Sequence, residues 1–561
     1  MKMKKNITKI NPIGEELLNN PVLNKGTAFT KKERAAFGLH GKLPPTIETL
    51  EMQVARAYQQ YQTQPSNLYK NIFLHELHAN NQTLFYKFAQ TYLTEILPIL
   101  YTPSVAEAVT QFSQEFRRPK GVYISYPEKK HLEKIFASYD SKMIDLIVVT
   151  DGEGVLGIGD QGIGSIQIVI AKAMLYSLFA NINPARILTI VLDVGTNNKK
   201  LIDDPTYLGW RHERLSGKKY TGFIDSFVNT IKQKFPQALL HWEDFGRDNA
   251  AFVLERYQKI ICSFNDDIQG TAVVTVAALL AALKNTNQDW SKQRIVIFGA
   301  GTAGTGIANQ IVKAMMYDGY SEQEAFSKIW MIDKQGLLLT TTAQLTAQQQ
   351  KFAKKPQDIT KWKLKNKKFI AFRDVVKNLA PTILIGCSTQ KGAFTEEIVC
   401  AMAKHTQHPI IFPLSNPNEK CEATPENLIH WTNASAIIAT GSPFAPVTYK
   451  GKTITIAQCN NALVFPGIGL GVLTAKATQL TDTMLWAACE TLVKETMAIP
   501  KQKQITLLPP LNAAPNLATQ IALAVATQAY KEGLSEGIKN KNAIPKIIKQ
   551  QKWKPRYTPF T

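Results

Sequence analysis

Residues 294–304 read Arg-Ile-Val-Ile-Phe-Gly299-Ala-Gly301-Thr-Ala-Gly304, and the helix-like segment Gly306 to Tyr317 follows. A β-prone apolar run enters a GxGxxG turn and leaves it as a helix. Glycines at these positions allow a tight turn, close approach of the backbone to a pyrophosphate and close helix–strand packing, while the helix N-terminus faces phosphate charge. The stretch predicts a dinucleotide site at Gly299, Gly301 and Gly304. The next strand candidate, Ile329-Trp-Met-Ile-Asp333, ends in an acid. Asp333 lies 34 residues beyond Gly299, against a usual spacing of roughly 20, so an insertion is expected between them. An acid there hydrogen-bonds ribose hydroxyls and repels a 2′-phosphate, favouring NAD over NADP; Lys334 beside it weakens that discrimination.

Working outward, further strand candidates lie at Thr382–Ile385, Ile410–Phe412 and Ala436–Ala439, and the polar segment Asn285 to Gln293 precedes the whole unit. Upstream, Leu146–Val149, Ile187–Leu192 and Ala238–His241 alternate with Gly-rich turns and amphipathic stretches. That alternation predicts an α/β class with largely parallel sheets. Before Pro119, apolar residues at three-to-four spacing in Ile47–Tyr61 and Thr83–Ile99 predict helices.

The 561 residues suggest two or three domains, and 45% hydrophobic with 19% charged residues is an ordinary globular composition. No uninterrupted apolar run reaches the roughly 18 residues of a membrane span. The segment Met1 to Asn20 has lysines, Glu15 and Glu16 but no apolar core, so neither a secretory nor a transit signal is read and a cytoplasmic address is expected. Six scattered cysteines without a CxxC pair read as reduced thiols. The net charge of +21 raises nucleic-acid binding as a remote alternative. The excess sits in polar stretches such as Lys361 to Lys368 and Lys531 to Lys554, with no RNP pattern, Cys/His finger or repeat. The preferred reading is a basic surface that attracts dianions and dinucleotides, with no nucleic-acid partner and no membrane.

Two acid pairs stand at predicted strand ends: Glu243-Asp244 after Ala238–His241, and Asp266-Asp267 after Ile260-Ile261-Cys262. Catalytic groups of open α/β sheets gather at strand carboxyl ends. Carboxylates without thiolates or clustered histidines are hard oxygen donors suited to Mg²⁺ or Mn²⁺, and a cation relieves their mutual repulsion. Two other patterns are set aside. Gly157-Ile-Gly159-Asp-Gln-Gly162 carries Asp160 where a pyrophosphate would lie, so it reads as a structural or substrate-side turn. In His75-Glu76-Leu77-His78 the histidines are three apart, not the four of a zinc helix, and read as helix-surface residues.

These segments together resemble the malic enzyme family from about Leu23 to Pro510. The likeness is carried by Leu23-Asn-Lys-Gly-Thr-Ala-Phe, Tyr101-Thr-Pro-Ser, Leu192-Asp-Val-Gly-Thr-Asn, Glu243-Asp-Phe, Phe264-Asn-Asp-Asp-Ile-Gln-Gly-Thr, Leu414-Ser-Asn-Pro and Asn460-Asn461 with Phe465-Pro-Gly. The resemblance implies a helical N-terminal region (1–117), a catalytic malate/metal domain (118–275, completed by 452–540), a Rossmann-type NAD-binding domain (276–451) and a loosely packed basic C-terminal tail (541–561). It implies Glu243, Asp244 and Asp267 as metal ligands, Lys172 as general base with Asp266 near it, and Tyr101 as the acid that protonates the enol carbon. Asn416, Asn460 and Asn461 are implied as contacts to substrate or nicotinamide, and a homo-oligomer is implied by analogy.

The chain departs from the family at Gly154, where malic enzymes usually carry an arginine that clamps a substrate carboxylate; Arg117, Arg118 and Arg247 are candidate substitutes. Gly154, His241-Trp-Glu-Asp-Phe-Gly-Arg-Asp-Asn and Ser388-Thr-Gln-Lys-Gly-Ala-Phe-Thr look like the related malolactic enzymes, which retain NAD and release lactate. Gly441-Ser-Pro-Phe-Ala-Pro-Val-Thr-Tyr and Ile456-Ala-Gln-Cys-Asn-Asn look like bacterial NAD malic enzymes. The expectation is oxidative decarboxylation of L-malate to pyruvate, with the malolactic reaction as alternative.

Overall fold

A computed structural model describes residues 8–155, 157–364, 366, 369–500 and 505–561; the lysines of residues 1–7 and Lys365, Lys367 and Lys368 lie outside them. The chain forms two compact units. One comprises residues 1–150, 161–235 and 549–561, the other residues 151–160 and 236–548.

After two short α-helices, Gly14–Leu18 and Lys31–Ala36, the first unit carries the helices Leu50–Gln62, Asn67–Asn80, Gln82–Thr91 and Leu93–Leu100. Of these last four, the first three start at Thr49, Ser66 and Asn81, whose side chains accept from backbone N–H groups of the first turn. The predicted helix Thr83–Ile99 is thus two helices, broken at Tyr92. Strands β1 (Val122–Ser125), β2 (Leu146–Thr150) and β3 (Ile187–Asp193) follow, β1 and β2 each pairing in parallel with β3. Helix α1 (Ile166–Ala180) connects β2 to β3 and is almost wholly buried.

The terminal segment of this unit is not loosely packed. Tyr557 Oη donates to Gln53 and accepts from Asn81, both at 2.7 Å, and the Trp553 ring meets Tyr86 edge-on. Lys25 Nζ pairs with Glu33 at 2.5 Å and donates to the Thr558 carbonyl at 2.6 Å, while Phe560 N–H donates to the same Glu33 carboxylate at 3.0 Å. Three aromatic residues among the last nine supply apolar area that a lysine count hides.

The second unit carries β4 (Leu239–Trp242) beside β5 (Ser263–Asn265), and a seven-stranded sheet built from β6 (Ile295–Phe298), β7 (Ile329–Asp333), β8 (Gly336–Leu337), β9 (Ile383–Gly386), β10 (Ile410–Pro413), β11 (Ile437–Thr440) and β14 (Ala457–Gln458). The hairpin β12 (Val447–Tyr449) and β13 (Lys452–Ile454) stands apart from that sheet. The sheet order is β14-β11-β10-β9-β6-β7-β8, parallel except for β8. This is a doubly wound sheet whose connections reverse between β6 and β9, the place where such sheets open a ligand crevice. Its strands bury Val296, Ile332, Leu384, Ile411 and Ile438 in one core. The insertion expected before Asp333 is a second helix, Glu322–Lys328, after the Thr302–Tyr317 helix.

The helices Gly162–Ala180 and Asp266–Asn285 are apolar and long enough to cross a membrane by length and composition, but 94% and 72% of their most apolar windows are buried inside the fold. Core helices pass that test because both faces meet protein.

Candidate active site

Strands β4 and β5 pair in parallel register, with Trp242 opposite Asn265. The residues that follow each strand therefore emerge side by side, which brings Glu243-Asp244 next to Asp266-Asp267. One oxygen each of Glu243, Asp244 and Asp267 lies within 4.8 Å of the others. Glu243 and Asp244 are 1% and 2% exposed, and Asp266 is fully buried. Asp244 takes a left-handed backbone (φ 55°), a conformation that aspartate tolerates better than most residues. Its N–H donates to Asp267 Oδ2 at 2.8 Å. After β5 the chain makes one π-helical turn, Asp266–Gly270, a local widening often found at functional sites.

His241, for which the sequence suggests no role, belongs to this cluster. Its Nε2 lies 2.6 Å from Glu243 Oε2, and His241, Glu243 and Asp266 form a second group within 4.8 Å. The available signal was the i, i+2 spacing that puts His241 and Glu243 on one strand face. Three close carboxylates, two of them buried and Asp267 half-buried, fit a hard divalent cation, which would offset a repulsion that burial makes expensive.

The dinucleotide loop follows β6 as expected. Gly299 has φ 108°, and a Cβ there would lie 2.4 Å from the Cys387 carbonyl oxygen; one at Gly304 would lie 2.0 Å from the Gly299 carbonyl. A Cβ on Gly301 would meet nothing within 4 Å, so that side of the loop is open to a ligand. Asp333 ends β7, and its Oδ2 accepts from Gln349 Nε2 at 3.0 Å while Gln349 also donates to the Ala300 carbonyl at 3.0 Å. Gln349 thus ties Asp333 to the glycine loop; nothing in its local sequence marks it. Asn416 follows β10, and its Oδ1 accepts from Ser442 Oγ, leaving its amide N–H groups as donors. The Gly157 carbonyl accepts from Lys420 Nζ at 2.6 Å, and a Cβ on Gly157 would sit 2.1 Å from the Asn416 carbonyl oxygen.

Gly154 donates its N–H to the Asp244 carbonyl at 2.9 Å, and a Cβ there would lie 2.6 Å from the Phe245 carbonyl oxygen. The backbone at this position is packed against the acidic loop. Arg117 is held by Glu76 at 2.6 Å and Glu115 at 3.4 Å, Arg118 donates to the Ala79 carbonyl, and Arg247 Nη1 stands 3.8 Å from Asp333.

In the first unit, Lys172 lies in the middle of α1 and is fully buried. Its Nζ is 5.4 Å from the centre of the Tyr101 ring, and Tyr101 is itself 3% exposed. Asn460 Oδ1 accepts from Ala462 N–H at 2.9 Å, a local cap, and Asn461 is half-buried beside it. Of the two histidines in residues 75–78, His75 is half-buried and His78 is not a surface residue. His78 is 7% exposed, lies 3.3 Å from Tyr86 Oη and packs on Phe85; desolvation by burial, then Lys120, holds its pKa well below the usual histidine value. The six cysteines are free thiols, none belongs to a close group of metal-ligating side chains among the described residues, and burial pushes the Cys262 and Cys459 thiols up to about 12.

A family model described as the malic enzyme N-terminal domain matches residues 78–258, and one described as the malic enzyme NAD binding domain matches residues 268–530. Curated relatives named NAD-dependent malic enzyme include one from Pseudomonas savastanoi pv. phaseolicola, 46% identical over 547 residues, covering 98% of this chain and 97% of the relative. Another, from Photorhabdus laumondii, is 45% identical over 544 residues, covering 97% and 96%. Among solved structures, the malic enzyme of Entamoeba histolytica shares the fold with a TM-score of 0.56 at 22% identity, covering 92% of this chain and 91% of that one. The malic enzyme of Pyrococcus horikoshii does so with a TM-score of 0.53 at 22% identity, covering 82% and 89%.

Proposed function

This chain belongs to the malic enzyme family, and from that premise we propose that it oxidatively decarboxylates L-malate, with NAD and Mg²⁺ or Mn²⁺, to pyruvate, CO₂ and NADH. The observation that carries the reading is the cluster of buried Glu243 and Asp244 with half-buried Asp267, in the compact unit that also holds the glycine loop.

When bound, a divalent cation supplies a Lewis acid for the malate hydroxyl and for the electrons left as CO₂ departs, and NAD supplies the hydride acceptor. Glu243, Asp244 and Asp267 would hold the cation. Lys172 Nζ takes the hydroxyl proton as general base. The Tyr101 phenol returns a proton to the enol carbon, and Asp266 completes the catalytic set. Gly299, Gly301 and Gly304 receive the pyrophosphate and Asp333 the ribose. Asn416, with Asn460 and Asn461, presents amide groups to substrate or nicotinamide. The same reading carries a cytoplasmic homo-oligomer, for which sedimentation is the check.

The test follows NADH absorbance while pyruvate and lactate are quantified, with purified protein, L-malate, NAD⁺ and either Mn²⁺ or Mg²⁺. Pyruvate in step with NADH supports the proposal. Lactate without net NADH overturns it in favour of the malolactic reaction, and no turnover with either metal removes the catalytic reading.

A further inference from the structure

Glu422 is a fully buried carboxylate that forms no ion pair among the described residues. A buried acid normally needs a cation or a full set of donors. Here the donors come from two loops. Oε1 accepts from Ser388 N–H and Ser388 Oγ, both at 2.8 Å, and from Ser415 Oγ at 2.5 Å; Oε2 accepts from Ser415 N–H at 3.3 Å. Ser415 Oγ in turn accepts from Thr389 N–H at 2.8 Å.

The position of those loops gives the network a consequence. Ser388 follows β9 and Ser415 follows β10, so both stand at the carboxyl rim of the doubly wound sheet. The β9 loop is the wall of the glycine turn: a Cβ on Gly299 would lie 2.4 Å from the Cys387 carbonyl and 2.7 Å from Ser388 N. The β10 loop continues directly into Asn416, whose Oδ1 is held by Ser442 at the end of β11. One carboxylate therefore ties together the loops on the far side of the β6/β9 switch point, where a dinucleotide lies.

We propose that Glu422 is a positioning residue for the nicotinamide cofactor: through Ser388 and Ser415 it sets the wall of the glycine loop and aims the Asn416 amide. This rests on the NAD reading above. A carboxylate presents only acceptors to these four donors, whereas a glutamine turns an N–H₂ toward some of them and must break the pattern.

The test measures NAD⁺ affinity by quenching of protein fluorescence, and steady-state kinetics, for wild type, Glu422→Gln and Ser415→Ala. Expected for Glu422→Gln is a fall in kcat/KM for NAD⁺ of about 10- to 100-fold, the scale of a slight misplacement of reacting groups, while KM for malate moves less than about 3-fold and Mn²⁺ affinity is kept. Ser415→Ala removes one hydroxyl and should lower kcat/KM for NAD⁺ in the same direction. Should Glu422→Gln fail to fold, Ser415→Ala decides alone. Unchanged NAD⁺ parameters in a folded variant, or equal losses for NAD⁺ and malate, overturn the positioning role. Absence of NAD⁺ binding by wild type overturns the cofactor reading instead.

Discussion

The N–H of Asp244 donates to the carboxylate of Asp267 at 2.8 Å, so a ligand candidate after one strand is fixed by the backbone of a ligand candidate after its neighbour. The left-handed turn at Asp244 (φ 55°) aims that N–H. Asp267→Asn keeps the shape but removes a charge. Mn²⁺ binding, measured by calorimetry, should weaken at least about 10-fold, and chelation of wild type should abolish turnover reversibly. Retained Mn²⁺ affinity in Asp267→Asn would remove Asp267 from the ligand set.

His241 approaches Glu243 from its own strand at 2.6 Å in a site sealed from solvent. Groups that orient a ligand carboxylate typically contribute 10- to 100-fold in metal affinity. His241→Ala should show a Mn²⁺ dissociation constant raised by about that factor, with NAD⁺ affinity unchanged. An unaltered Mn²⁺ titration would count against the orienting role.

Placing an arginine at position 154 should harm this chain. A Cβ there would stand 2.6 Å from the Phe245 carbonyl, against the loop that carries Glu243 and Asp244. Gly154→Arg should lose about 1–3 kcal/mol of stability, the usual cost of overpacking, and a larger share of malate turnover. Thermal melts and kcat/KM check both; a more active variant would show that the loop yields.

Asp333 is held to the glycine loop through Gln349. Asp333→Ala should narrow the ratio of kcat/KM between NAD⁺ and NADP⁺, because it removes the ribose acceptor and the charge that opposes a 2′-phosphate. An unchanged ratio refutes the assignment.

The terminal segment should respond to acid. Burial raises the Glu33 pKa, but the Lys25 hydrogen bond and the Thr30 and Phe560 N–H groups outweigh it, so the net shift is downward. A depressed carboxylate contributes stability that is present above its unfolded value, about 4.5, and is lost as pH falls through the folded one. Trp553 fluorescence should report release of the segment below about pH 4.5, and Glu33→Gln should flatten that response. A transition that is the same in wild type and variant would detach Glu33 from it.

Much of this was legible from local pattern. The glycine turn after a β-prone run, the acid ending the next strand and the two acid pairs at strand ends each depend on residues adjacent in the chain, where period and turn chemistry act directly. Lys172 was not legible from its own surroundings. A lysine in an apolar helix gives no sign of burial until other elements cover both faces, and only the resemblance singled it out. Gln349, Glu422 and the role of His241 escaped for a related reason. Their partners lie on other strands or loops, so no sequence window contains the interaction.

By itself, the sequence determined the α/β class, the strand that opens the dinucleotide unit and the kinds of side chain available at each strand end, because these follow from short-range sterics and periodicity. Tertiary structure alone decided which of those ends meet. Parallel registration of β4 with β5 puts the two acid pairs side by side, and reversal of the winding between β6 and β9 faces Gly299 with the loop that Glu422 holds. Contacts between chain-distant residues are chosen by the packing of whole elements, a many-body result that no single segment encodes.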